Sequence, residues 1–187
     1  MIIVNNPASG GIADGAVTTA KIADANVTPA KLSQPLTLAT AVDSTSGTSI
    51  DFTGIPDWVD KITIMLNRVS TNASSILLIQ IGSGSITNTG YVSQSWSTSG
   101  TGVVTSGFDV GNTVGAGNSL SGMILLNLVS NNLWVSSSIL SFTTLTSTGW
   151  LSCGSSSELS GALDRVRITT VAGTHVFDGG TINILYE

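Results

Sequence analysis

A five-residue spacing between large apolar residues near the start of the chain constrains its fold more than any other feature. Ile12, Val17, Ile22, Val27 and Leu32 recur at that interval. They belong to a ten-residue repeat. Ile12-Ala13-Asp14-Gly15-Ala16-Val17-Thr18-Thr19-Ala20-Lys21 is followed by Ile22-Ala23-Asp24-Ala25-Asn26-Val27-Thr28-Pro29-Ala30-Lys31, and seven of ten positions match. Leu32 opens a third copy that stops. A period of five fits neither the 3.6 of a helix nor the 2 of a strand, so each repeat must bend within itself. Asp14-Gly15 and Ala25-Asn26 are turn-prone. Thr18 and Thr28 suit helix N-caps, and Pro29 sits where the first helical residue would follow. Each repeat therefore reads as a turn followed by about one helical turn, which is unstable alone because nucleation is costly. Order is expected if identical copies from neighbouring chains pool their apolar residues around an axis, with threefold pooling the expected arrangement. The alternative is a flexible Ala/Thr-rich linker, against which the strict apolar register argues.

The pattern changes at Leu36. Residues 36–42, 62–66, 76–81, 91–96, 123–129, 133–142, 150–153, 165–171 and 181–186 read as short strands rich in β-branched residues, separated by Gly, Ser and Asn. About nine such strands with no convincing helix predict an all-β head, an antiparallel β-sandwich or jelly roll. Much of 97–118 reads as exposed loop, notably 99–102 and 111–118. The expected organisation is a tip at 1–11, a short repeat stalk at 12–35 and the head at 36–187.

Charge excludes several functions. Charged residues make up 9% of the 187-residue chain, and between residues 69 and 157 Asp109 stands alone. A surface this poor in charge and rich in hydroxyls suits a β-protein that hides much of itself in an assembly. Six Lys and Arg against a net charge of −5 give no footprint for nucleic acid. No apolar run reaches the roughly 20 residues of a membrane helix, so no membrane insertion is expected. Residues 1–6 lack the basic residues of a signal peptide, so synthesis in a cytoplasm is expected.

Chemistry is hard to assemble from these residues. The single histidine, His175, follows Ala172-Gly173-Thr174 and reads as an exposed hairpin-loop residue. No cluster of His, Cys and carboxylates has metal-ligand spacing, and no carboxylate pair suggests glycoside hydrolysis. No enzyme activity and no cofactor are expected. The single Cys153 reads as a small buried apolar residue. Trp96, Trp134 and Trp150 read as core or interface anchors. Arg165 and Arg167 alternate with Val166 and Ile168, so the arginines share one strand face, with Asp164 and Asp178 as candidate ion-pair partners. Trp58, flanked by Asp57 and Asp60, is the candidate glycan contact, since an indole can stack on a sugar.

Two passages resemble bacteriophage proteins. The repeat beginning Ile12-Ala13-Asp14-Gly15-Ala16-Val17-Thr18-Thr19-Ala20-Lys21-Ile22 resembles repeats of tail-fibre and collar-type proteins. Leu163-Asp164-Arg165-Val166-Arg167-Ile168-Thr169-Thr170, with Phe177-Asp178-Gly179-Gly180-Thr181-Ile182-Asn183-Ile184-Leu185-Tyr186-Glu187, is similar to the last strands of small head- or tail-fibre domains. Ser49-Ile50-Asp51-Phe52-Thr53-Gly54-Ile55-Pro56 and the strand after Trp58 look like that domain's opening. Together these cover about half the chain. The resemblance implies a homotrimeric structural virion protein on capsid or tail, made in the host bacterial cytoplasm. Long receptor-binding fibres carry many more repeats than these two, which favours a short head fibre or capsid decoration. Its expected partners are capsid or tail proteins, met through Ile2, Ile3 and Val4 of the apolar tip, and a host-surface glycan in the alternative reading as a tail-fibre adhesin.

Overall fold

The computed structural model describes residues 17–18, 21–22, 26–28, 31–95, 103–114, 117–143 and 149–187, with backbone alone at 112–114 and 149–150. The chain divides into two compact units, Met1–Pro35 and Leu36–Glu187. In the first, the Lys21 N–H donates to the Thr18 carbonyl at 2.8 Å and the Lys31 N–H to the Thr28 carbonyl at 2.9 Å. Where one helical turn is expected after Thr18 and Thr28, each copy has a tight i to i+3 turn, while Asp14, Gly15 and Ala25 of the expected bends lie outside the described residues. An α-turn would pair residues four apart, and a single tighter turn is the form short segments favour.

The second unit is all-β and antiparallel. Its strands are β1 (Thr37–Leu38), β2 (Val42–Asp43), β3 (Ile50–Thr53), β4 (Lys61–Thr71), β5 (Ser75–Ser83), β6 (Ser85–Ile86) and β7 (Val92–Ser95). They continue with β8 (Phe108–Val114), β9 (Leu120–Ser130), β10 (Leu133–Phe142), β11 (Gly149–Ser155), β12 (Arg165–Thr170) and β13 (Phe177–Tyr186). Sheet A has the order β1-β13-β4-β9-β10-β11-β7, with β2 also on β13. Sheet B has the order β3-β12-β5-β6, with β8 also on β5.

Alternation decides which side chains go inward. Ile62, Ile64 and Leu66 of β4, Ile124 and Leu126 of β9, and Ile182 and Ile184 of β13 are buried from sheet A. Ile50, Phe52, Leu77, Ile79, Ile81, Val166 and Ile168 are buried from sheet B, and all belong to one hydrophobic cluster. Tyr91 locks one side. It lies edge-on to Phe108 with ring centroids 5.0 Å apart. Its hydroxyl accepts from the Ile81 N–H at 2.9 Å and donates to the Thr87 carbonyl at 2.9 Å. Burial pushes that hydroxyl's pKa up to about 12.

Two expectations need correction. Residues 36–42 are not one strand: β1 and β2 are separate two-residue pairings on β13. The span read as loop contains β8, whose Phe108 and Val110 are core residues. Glycines at 107 and 111 disguised it, and Gly107 is there for fit, since a Cβ would fall 2.9 Å from the Ile79 carbonyl oxygen. Residues 96–102 of that span lie outside the described ones.

Sheet A has a change of lining. Under β4, β9 and β13 its inner face is aliphatic, but β7, β10 and β11 turn Ser93, Ser136, Ser138 and Ser152 inward, all buried. Ser138 and Ser152 hydroxyls bond each other at 2.7 Å. Paired hydroxyls keep such a lining from carrying unsatisfied polar groups.

Candidate functional site

Of the residues expected to build a trimeric stalk, Val17, Ile22, Val27 and Leu32 are described and Ile12 lies outside the described residues. Their side chains are 50%, 42%, 55% and 49% exposed in the single chain. Four large aliphatics at a fixed interval, held open by identical turns, have no intrachain partner that buries them. The anchoring residues Ile2, Ile3 and Val4 also lie outside the described residues.

Trp58 is half-buried. A turn closed by the Val59 N–H on the Pro56 carbonyl (3.2 Å) presents it, and it packs against the core beside Tyr186, with ring centroids 6.1 Å apart and planes tilted by 51°. Asp57 and Asp60 are exposed on either side. The ring has an open part flanked by acceptors, which is what a sugar contact requires, and a packed part that also serves the core.

Arg165 and Arg167 do share the outer face of sheet B, but their partners are Asp164 and Asp51. Arg167 meets Asp51 of β3 through two parallel hydrogen bonds of 2.8 and 2.7 Å, directly across the β3–β12 ladder. Arg165 meets Asp164 through bonds of 2.7 and 3.0 Å, and the guanidinium holds that carboxyl below the usual carboxylate range. Asp178 instead accepts a hydrogen bond from the Ser70 hydroxyl. Pairs this exposed are worth little in stability, and they leave no cation free for an anionic ligand at these two residues.

Two further residues differ from expectation, and Trp134 meets it. Cys153 is exposed, because the β11 register turns Ser152 inward and its neighbour outward. His175 is half-buried, with its Nδ1 buried and unpartnered. Trp134 is a core residue at 1% exposure, and its indole nitrogen also lacks a partner. Trp96 and the Trp150 side chain lie outside the described residues. Among those described, no group of His, Cys, Asp and Glu could hold a metal, and no helix is long and apolar enough to cross a membrane.

Sequence reasoning missed the role of Asp109. The carboxylate is buried where β8 meets β7. It accepts from the Gly111 N–H at 2.8 Å and the Ser95 hydroxyl at 2.8 Å, while its own N–H donates to the Ser93 hydroxyl at 2.7 Å. Burial raises its pKa above the ordinary carboxylate value. The folded state therefore holds the proton more tightly than the unfolded chain does, so the charge opposes folding at neutral pH. That opposition is relieved as pH falls through the raised folded value. Asp109→Asn keeps both side-chain partners with a neutral group, its amide oxygen accepting from the Gly111 N–H and its NH2 donating to the Ser95 hydroxyl. At pH 7 it is expected to raise stability, with the difference closing as pH falls toward the usual carboxylate range. Denaturant melts of both proteins at pH 7 and pH 4 check this; a variant less stable at both would show that the charge itself is needed.

Comparison of the chain with protein-family models, with curated proteins and with solved structures finds no match.

Proposed function

We propose that this chain is a structural bacteriophage virion protein, a homotrimeric short fibre or decoration on the capsid or the tail, without enzymatic activity. Residues 12–35 form the trimer stalk, residues 1–11 anchor it to the virion, and residues 36–187 form a β-sandwich head of jelly-roll type. The observation that carries this reading is the pair of matching turns ten residues apart, with Val17, Ile22, Val27 and Leu32 left exposed. A repeat that cannot bury its apolar side chains within its own chain gains roughly 1.5–3 kcal/mol per side chain when copies bury them together. The pairing order supports the jelly-roll reading. Strands β2-β13-β4-β9 in one sheet and β3-β12-β5-β8 in the other follow the two-sheet interleaving of a double Greek key, with β10, β11 and β7 added beyond β9.

Ile22→Asp and Val27→Asp test the stalk. An unpaired charge turned toward the axis costs several kcal/mol, so protease sensitivity of residues 1–35 is expected to rise sharply while the head melts as before. Unchanged proteolysis in both variants would rule out a packed stalk. Deleting residues 2–6 tests the anchor: trimers should persist in solution and be missing from virions.

The alternative reading, a tail-fibre adhesin, is favoured by the partly open indole of Trp58 between Asp57 and Asp60. A glycan array probed with the wild type and with Trp58→Ala decides it. Binding lost in the variant supports adhesion, and no binding by either removes it.

A further inference from the structure

An antiparallel sheet with one face toward water places apolar residues inward and polar residues outward. In one part of sheet A the order is reversed. On β7 and β11, Ser93 and Ser152 are buried, whereas Val92 and Leu151 are 63% and 58% exposed. In the middle of β10, Ser138 is buried and its neighbour Ile139 is 68% exposed. The ladder registers join these outward residues. Met65 of β4, Met123 of β9, Ile139 of β10 and Leu151 of β11 lie directly opposite one another in sequence across four strands. The next row along runs through Leu125, Ser137, Cys153 and Gln94, and the one after through Asn127, Val135, Ser155 and Val92. A groove between β7 and β11 is lined by Val92, Val103, Val135 and Cys153.

We infer that the outward face of β9, β10, β11 and β7 is a self-association surface, buried against the corresponding face of further copies of this chain. The head, and not the repeat alone, then holds the assembly together. The number of copies rests on the trimer reading above; the surface rests on the reversed pattern.

Three observations select a second copy as the occupant. First, these four strands contain no charged residue. Identical faces brought together repel wherever they carry charge, and this one carries none, while a charged partner would find nothing to pair with. Second, the ridge is aliphatic and thioether, interspersed with serine hydroxyls. It offers neither the aromatic platform nor the clustered donors that a sugar needs, and its best complement is a surface of its own kind. Third, Met123, Ile139, Leu151 and Val92 alone expose on the order of 400 Å² of apolar surface, already the size of patch that marks an interaction site. The flanking rows extend this patch toward the size one partner contributes to a stable interface. A closed threefold ring presents the same face of each copy to one axis, so that no copy of the face is left unpaired.

Cys153 lies on this face and is the chain's single cysteine, so the native protein carries its own reporter. The test uses the full chain. Wild-type protein at micromolar concentration should have about three times the 19.0 kDa chain mass, and a maleimide should label Cys153 far more slowly than it labels the urea-unfolded protein. Ile139→Lys and Leu151→Lys place a charge that is solvated in the single chain and buried in the assembly. Each should weaken association by roughly a hundredfold, leave the sheet folded by circular dichroism, and restore rapid labelling of Cys153. Val27→Asp should leave the oligomer intact. If the wild type is trimeric but labels freely, and both lysine variants remain trimeric, the face is not the contact and the repeat alone assembles the chain. A wild-type monomer with freely labelled Cys153 overturns both this inference and the trimer reading. Should the lysine variants fail to fold, protection of Cys153 in the wild type still decides.

Discussion

Ending the chain after Gly179 is expected to leave no folded head. The missing residues include most of β13, which lies between β1 and β2 on one side and β4 on the other. Ile182 and Ile184 are at 0% and 1% exposure, and truncating one buried isoleucine to alanine typically costs about 2–5 kcal/mol. Two are lost here, with the pairing of β1 and β2 on β13, the ladder from β13 to β4, and the closure of the β4 edge. The sum is comparable with the whole stability of a domain, roughly 5–15 kcal/mol. The open β4 edge would also recruit other chains. The expected result is insoluble protein without a cooperative melt. A soluble, cooperatively melting deletion protein would mean that β13 is dispensable.

Gly122→Ala is expected to cost about 3 kcal/mol, a value reserved for substitutions that strain the backbone or the core. Gly122 of β9 has φ of 142°, a conformation that side chains rarely adopt. A Cβ there would lie 2.3 Å from the Ile139 carbonyl oxygen and 3.0 Å from the Leu140 Cα. Both obstacles belong to the backbone of β10, so relief requires prising β9 from β10 in the middle of sheet A. Ser137→Ala, at an exposed position of the same sheet, should stay within about 0.5 kcal/mol. Denaturant midpoints of the two variants measure the contrast, and a loss below about 1 kcal/mol for Gly122→Ala would show that the strands part easily.

Much of the fold was legible because long strands carry their own period. Residues 62–66, 76–81, 123–129, 133–142 and 181–186 lie within β4, β5, β9, β10 and β13. What stayed hidden is non-local. Phe108, Asp109 and Val110 read as surface because a charged residue sits between two apolar ones, and hydrogen bonds from Ser95 and from the backbone N–H of Gly111 make that carboxylate tolerable inside. Asp51 is 116 residues from Arg167, and only the β3–β12 ladder brings them together. Cys153 was read as buried because a short run beside Trp150 gives no register of its own. The reversed face was invisible for a related reason. In Ser136-Ser137-Ser138 alternation cannot say which side is in, and the answer comes from Trp134, Leu140 and Phe142 on the same strand. The candidate sites were legible as residue types. The turns around Trp58 and within the repeat had to be seen to know which side chains are left open.

The serine lining beneath β7, β10 and β11 has a dynamic consequence. Amide hydrogens in a sheet are shielded as strongly as the cooperative unit that must open to release them. Ile62, Ile64, Ile124 and Ile182 sit in a wholly apolar cluster, so their strands should trade protons for deuterons only through global unfolding. At β7 and β11, where Ser93 and Ser152 stand in place of such residues, less apolar surface meets water on opening and a partial opening is cheap, while Trp134, Leu140 and Phe142 anchor β10. In a single chain, exchange should therefore quicken from β4 toward β7. Covering Ile139 and Leu151 from outside would slow it again, so that the margin least anchored to its own core becomes the part whose protection reports on assembly.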